Sequence, residues 1–166
     1  YRLPNQGHFI HAGALTKRGT HPGPDHGHVA ACAGMADYVD ALCAHHGGGD
    51  KPAARFAHDL MRGHEILVLQ PLLDFLATKN SVRLLGPKQA KNRAPTVAMA
   101  LNEPGEAVAA KLAPKGIMAG GGNFYGVRCL EAQRIDPDHG VLRVSFVHYT
   151  SHDEVAKLMQ ALDEVL

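Results

Sequence analysis

Near residue 80 the hydrophobic period of this chain changes, and the change limits the folds open to it. From about 26 to 77 apolar residues recur three and four apart, the spacing of a helix face. After 80 they come in short runs separated by Gly, Pro and Asn, as strands do. The first helix is expected after Asp25 as N-cap, with Val29, Cys32, Ala33, Ala36, Val39, Leu42 and Cys43 on one face and Gly47-Gly48-Gly49 as its stop. Asp50 and Pro52 open a second helix carrying Phe56, Leu60, Ile66, Leu67, Leu72, Phe75 and Leu76. Pro71 inside it is expected to kink or break it.

The second half reads as β-β-α-β-β-α. SVRLLGP at 81–87 and APTVAMAL at 94–101 are the first two strands, and NEPGEAVAAKLAP at 102–114 is a short helix capped by Asn102. KGIMA at 115–119 is the third strand, 120–140 a loop, and VLRVSFV at 141–147 the fourth strand. Ser151 and Glu154 form a capping box before a last helix striped by Val155, Leu158, Met159, Leu162, Val165 and Leu166. The expected class is α+β: two layers, with a small, mainly antiparallel or mixed four-stranded sheet packed with helices. Residues 1–27, rich in Gly and Pro, read as an irregular arm, and 28–166 as the domain.

A net charge of +1 with scattered Lys and Arg points away from nucleic acid and anionic membrane surfaces. No apolar run reaches the ~20 residues of a membrane span. Cys32, Cys43 and Cys129 are odd in number and widely spaced, which suits a reducing cytosol better than a disulfide framework. The twelve histidines include clusters at 21–28 and 45–46, but none has a metal-ligand spacing such as HExxH. A histidine-rich metal module is therefore a minor reading.

Arg143 sits in the middle of VLRVSFV. Alternation puts Val141, Arg143, Ser145 and Val147 on one face and Leu142, Val144 and Phe146 on the other. A solvated or structurally paired arginine would explain it. So would a planar fork aimed at a ligand carboxylate. The glycine-rich stretch GIMAGGGNFYG at 116–126 is a flexible connection or a backbone that a ligand approaches closely. GTHPGPDHGH at 19–28, ahead of a helix, is a capped start or an anion site.

In order along the chain, PGPDHGHVAACAGMADYVDAL, HEILVLQPLLDFLATKNSVRLLGP, KGIMAGGGNFYG and LRVSFVHYTSHDEV resemble four segments of one family. These are its Gly-Thr-Pro-Asn segment and following helix, its long helix and short Gly-Pro strand, its active-site loop, and its Arg-x-Ser strand, turn and final helix. The family is the class V aminotransferases, pyridoxal phosphate (PLP) enzymes that include the cysteine desulfurases, and the match covers residues 20–166, its C-terminal small domain.

The resemblance implies a homodimeric, cytoplasmic enzyme acting on a small amino acid. Arg143 would bind the substrate carboxylate, and Asn123 and Tyr125 would lie in the loop closing over it. Gly23 stands where the family has a phosphate-contacting threonine, so Thr20 or His26 would take that role toward PLP. In desulfurases the loop carries a nucleophilic cysteine. Tyr125 holds that position here and Cys129 comes four residues later, so desulfurase activity is not expected. The PLP-bearing lysine belongs to the family's large domain. Lys88, Lys91, Lys111 and Lys115 do not match its context, so this chain, which begins at Tyr1, is expected to be the C-terminal part of a longer enzyme, inactive alone. The alternative is a stand-alone α+β ligand-binding or regulatory domain without catalysis.

Overall fold

The computed structural model describes residues 26–166. The expected arm, with Thr20 and the Asp25 cap, lies outside the described residues except for His26 and Gly27, which already belong to the first helix. The chain divides into two compact units, Tyr1–Ala57 and His58–Leu166.

The first unit holds α1 (His26–His45) and the opening turn of α2 (Ala53–Ala77). Helix α1 ends as expected, in a glycine turn. Gly47 is left-handed (φ 71°), its N–H bonds to Ala44 O, and Gly48 N–H bonds to Cys43 O at 2.9 Å, the paired bonds of a Schellman stop. Gly48 leaves room for Cys43: a Cβ there would lie 2.2 Å from Cys43 Sγ, which would have to turn away. The expected apolar face of α1 is not buried. Only Cys43 is buried, Val39 and Leu42 are half-buried, and Val29 is 62% exposed. Helical spacing defines such a stripe but supplies nothing to cover it.

Helix α2 runs unbroken through Pro71. The proline is exposed, and the Leu67 carbonyl it leaves without a partner belongs to a residue 62% exposed. Solvent can therefore satisfy that carbonyl, and the break expected at Pro71 does not occur.

The second unit is built on a four-stranded antiparallel sheet in the order β1-β2-β4-β3. The strands are β1 (Arg83–Leu85), β2 (Thr96–Ala100), β3 (Gly120–Gly122) and β4 (Val141–Ser145), with α3 (Gly105–Leu112), α4 (Val127–Ala132) and α5 (His152–Asp163) between and after them. One sheet face, through Val97, Met99, Leu142, Val144 and Phe146, packs on Leu69, Leu72 and Leu76 of α2, Val108 and Leu112 of α3, and Leu158 and Leu162 of α5. Burying such side chains contributes roughly 1.5–3 kcal/mol each. The other face carries a smaller cluster of Leu85, Leu130, Ile135 and Val141, with Phe124 at its margin. The α+β class and the sheet hold as read, with every pairing antiparallel.

Three boundaries differ. The third strand lies at Gly120–Gly122 rather than 115–119, where a short 3-10 turn and left-handed Gly116 stand instead. The expected loop 120–140 contains that strand and α4. Helix α3 is capped by Pro104, without a side-chain bond, not by Asn102. One contact explains the first and third shifts. The start of α3 presses on the sheet so closely that a Cβ at Gly105 would lie 2.2 Å from Val141 O, and one at Gly121 would lie 2.2 Å from Glu106 N. The middle glycine of β3, Gly121, is therefore a glycine for packing against α3.

The helix α5 capping box is present: Ser151 Oγ accepts from Glu154 N–H at 3.2 Å, and Glu154 Oε2 accepts from Ser151 N–H at 2.7 Å. These bonds hold the Glu154 carboxyl below its ordinary pKa. A lowered folded pKa contributes stability above the unfolded value, about 4.3, and loses it as pH falls through the folded value. Amide exchange at Ser151 is therefore expected to quicken as pH drops below about 4 relative to neighbouring helix amides. In a Glu154→Gln variant that extra acid dependence should vanish; its persistence would mean another group is responsible.

Arg93 ties the sheet to the connection before it. Its guanidinium donates to Pro87 O at 2.8 Å, Leu85 O at 3.2 Å and Thr96 O at 2.8 Å. Burial lowers its pKa from the ordinary value. Truncating it strands three carbonyls, so Arg93→Ala is expected to cost about 2–3 kcal/mol in denaturant unfolding. A loss below about 0.5 kcal/mol, the level of an indifferent surface change, would show that solvent replaces those bonds.

Candidate functional site

The site stands on the sheet face opposite the main core. Strand β4 places Arg143 between two residues that leave room around it: Ala98 of β2 on one side and Gly120 of β3 on the other. Val141 on the same face is buried, while Arg143 and Ser145 are exposed. Further along, Thr96 Oγ1 donates to Ser145 Oγ at 3.2 Å. The face is therefore apolar at one end, hydroxyl-bearing at the other, and cationic between.

Arg143 differs from the arginines that hold the fold. Arg93 is bound to three carbonyls, and Arg62 donates to Ala90 O at 2.6 Å and pairs with Glu65 at 3.4 Å. Among the described residues no carboxylate pairs with Arg143. Its contact is with a ring: the guanidinium carbon lies 3.9 Å from the centroid of Phe124. Stacking of this kind covers one face of the guanidinium and leaves its N–H edges open.

The loop after β3 supplies that ring. Asn123 O accepts from Gly126 N–H at 2.8 Å, and Asn123 Oδ1 accepts from Tyr125 N–H at 3.0 Å. Both central residues have positive φ, Phe124 at 51° and Tyr125 at 60°, as in a type I′ turn. Each such conformation in a non-glycine residue costs on the order of 1 kcal/mol or more, and strain of this kind is found where the surroundings fix a residue for a task. The turn directs Phe124 to the sheet and leaves Tyr125 fully exposed at 101%.

Of the residues read from sequence, Arg143 is where the alternation put it, on an accessible face beside the glycine loop. Asn123 uses its side-chain oxygen to brace the turn. Tyr125 points to solvent, and no contact joins it to Arg143. The loop residue that does reach Arg143 is Phe124, which is not among the residues expected at the site. Its signal was the facing of Gly120 and Arg143, visible only once the strand register is known. Thr20 lies outside the described residues. His26 is the first residue of α1 and exposed, in the unit that does not contain Arg143. Cys129 is exposed on α4.

No lysine is buried among the described residues. Lys111 pairs with Glu103 at 2.6 Å, Lys115 with Glu164, and Lys79 with Asp163. No three His, Cys, Asp or Glu side chains converge on a metal-sized site among the described residues, and no described helix is long and apolar enough to cross a membrane.

No protein-family model matches the sequence, and no curated protein matches it. Solved structures do. A cysteine desulfurase of Thermococcus onnurineus superposes over 68% of this chain at 24% identity with a TM-score of 0.56. The cysteine desulfurase CsdA of Escherichia coli covers 70% at 20% identity and 0.53, and a NifS-like protein of Rickettsia africae covers 68% at 17% identity and 0.50. The matched region is 28%, 26% and 32% of those chains respectively, so this chain spans about a quarter to a third of their length. The chain thus has the fold of a portion of these cysteine desulfurases and the NifS-like protein.

Proposed function

We propose that residues 28–166 form the small domain of a PLP-dependent, class V aminotransferase-like enzyme, and that Arg143 receives the α-carboxylate of a small amino acid. The observation that carries this reading is the state of Arg143. It is an exposed arginine in mid-strand, without a carboxylate partner among the described residues, stacked on Phe124 and flanked by Ala98 and Gly120. A structural arginine is engaged by its own fold, as Arg93 is. Arg143 keeps donors available for an anion that arrives from outside.

The described residues do not by themselves fit PLP. The cofactor needs an attachment lysine in a desolvated setting, and no described lysine is buried. The attachment lysine is therefore assigned to the enzyme's large domain rather than to this chain, with Thr20 and His26 as this chain's contributions toward the phosphate. The same reading makes the enzyme a homodimer, its fragment inactive alone, and its compartment the reducing cytosol that three free cysteines suit.

Persulfide chemistry is the second reading, favoured by the names of the structural neighbours. Against it stands Tyr125 at the loop position where desulfurases carry the nucleophile. Cys129 is instead fixed in a helix, whereas that chemistry needs a mobile thiolate. Assaying the full-length protein with L-cysteine separates the two: no sulfide above the blank is expected, and thiol-dependent turnover abolished by Cys129→Ser would reverse the assignment.

The test of the main reading is the visible absorption of the full-length protein before and after borohydride. A yellow band that borohydride abolishes, with the label fixed to a lysine outside 26–166, is expected. Absence of any band with added PLP would leave a non-catalytic α+β binding domain.

A further inference from the structure

We propose that Phe124 is a positioning residue for Arg143: its ring fixes the plane of the guanidinium so that the N–H edge meets a planar carboxylate. The inference rests on the reading of Arg143 as the carboxylate site and adds the element that orients it.

Three observations converge on the ring. The first is the distance of 3.9 Å from the guanidinium carbon to the ring centroid, which places the guanidinium over the π face. A long side chain on an open sheet face otherwise samples many rotamers, and a bidentate hydrogen bond tolerates few of them. The second is Gly120, the cross-strand partner of Arg143. A Cβ there would lie 3.0 Å from Phe124 Cε1 and 3.1 Å from Cζ. A side chain at 120 would force the ring to shift by a few tenths of an ångström, so the register supplies a glycine at the place the ring occupies. The third is the turn. Consecutive positive φ angles at Phe124 and Tyr125, braced by Asn123 Oδ1, turn one aromatic to the sheet and the other to solvent. The local strain is thus tied to the delivery of one side chain.

The geometry also restricts what binds. With one guanidinium face covered by the ring, an anion approaches in the plane, through both oxygens.

The experiment uses the full-length protein labelled with 15N-arginine. The Arg143 Nε–Hε resonance is followed during titration with L-alanine, in wild type, Phe124→Leu, Phe124→Tyr and Arg143→Ala, the last also identifying the resonance. Leucine keeps apolar bulk at the margin of the Leu130 and Val141 cluster but removes the π face. In Phe124→Leu the free resonance loses its ring-current shift and half-saturation rises about 10-fold. Phe124→Tyr restores both to within about twofold. Unfolding midpoints of the two variants should agree, since both keep the contact with the cluster. If Phe124→Leu binds like wild type while Arg143→Ala does not bind, Phe124 has no positioning role and the reading of Arg143 survives. Equal loss in Phe124→Leu and Phe124→Tyr also removes the role, because bulk rather than the π face would then be at work. A wild-type resonance that ignores L-alanine removes the underlying reading of Arg143.

Discussion

Replacing Arg143 with alanine in the full-length protein is expected to raise KM for the amino-acid substrate about 100-fold and to leave PLP content unchanged. Truncating one member of a hydrogen-bonded charge pair costs about 2–5 kcal/mol, much of it from leaving the other charge unpaired. The lower part of that range corresponds to roughly 100-fold. Among the described residues the arginine has no hydrogen bond or ion pair of the kind that ties Arg93 into the fold, so stability should change little. Arg143→Lys keeps the charge and loses the fork, and an intermediate KM is expected for it. Steady-state kinetics beside a cofactor assay separate the two effects. A KM within twofold of wild type would remove Arg143 from substrate binding. Parallel loss of cofactor would make its role structural.

The largest effect on stability is expected at Gly121. An added methyl there would lie 2.2 Å from Glu106 N, 2.3 Å from Gly105 C and 2.4 Å from Glu106 Cα. All three atoms are backbone at the start of α3, so no side chain can rotate away. Either α3 lifts from the sheet, uncovering Val108 and Leu112, or β3 leaves β4. Gly121→Ala is expected to cost about 3 kcal/mol, the upper part of the range for overpacking. Gly63 in α2 is the control, because nothing lies within 4 Å of a Cβ there. Gly63→Ala is expected to stabilise by about 0.5–1 kcal/mol through helix propensity. Denaturant midpoints with unchanged m-values would confirm opposite signs. A neutral Gly121→Ala would mean that the α3 contact is softer than its distances imply.

Those glycines show what a sequence does and does not disclose. The triplet at 120–122 suggests a loop or a ligand-approach site, because glycine permits both. It is instead a strand whose middle residue has no room for a side chain, a fact that depends on where α3 starts. The third strand starts five residues later than the expected KGIMA segment, for a related reason. KGIMA has the apolar content of a strand, and nothing local shows that β4 pairs with the glycines instead.

Patterns that depend only on the chain's own periodicity transferred well. The alternation of β4 separates buried Leu142 and Val144 from exposed Arg143 and Ser145. The Ser151–Glu154 box and the stripe of α5 are formed as spelled, because each is satisfied by bonds or contacts a few residues apart. Helix α1 shows the opposite limit. Its stripe is legible, but burial needs a partner surface, and within α1 only Cys43 is buried. At the candidate site Arg143 was legible from its strand, while Phe124 was not. The loop's two aromatics are adjacent in sequence, and only the pair of left-handed residues decides which one turns inward.

The pairing of Arg143 with a substrate carboxylate is tested most directly by changing both partners. The full-length protein is titrated with the amino acid that most perturbs its visible band and with the α-amide of that amino acid, in wild type and in Arg143→Ala. Wild type should prefer the carboxylate by about 100-fold, and the preference should collapse to within a few-fold in the variant. A preference retained in full by Arg143→Ala would place the carboxylate elsewhere and contradict the account.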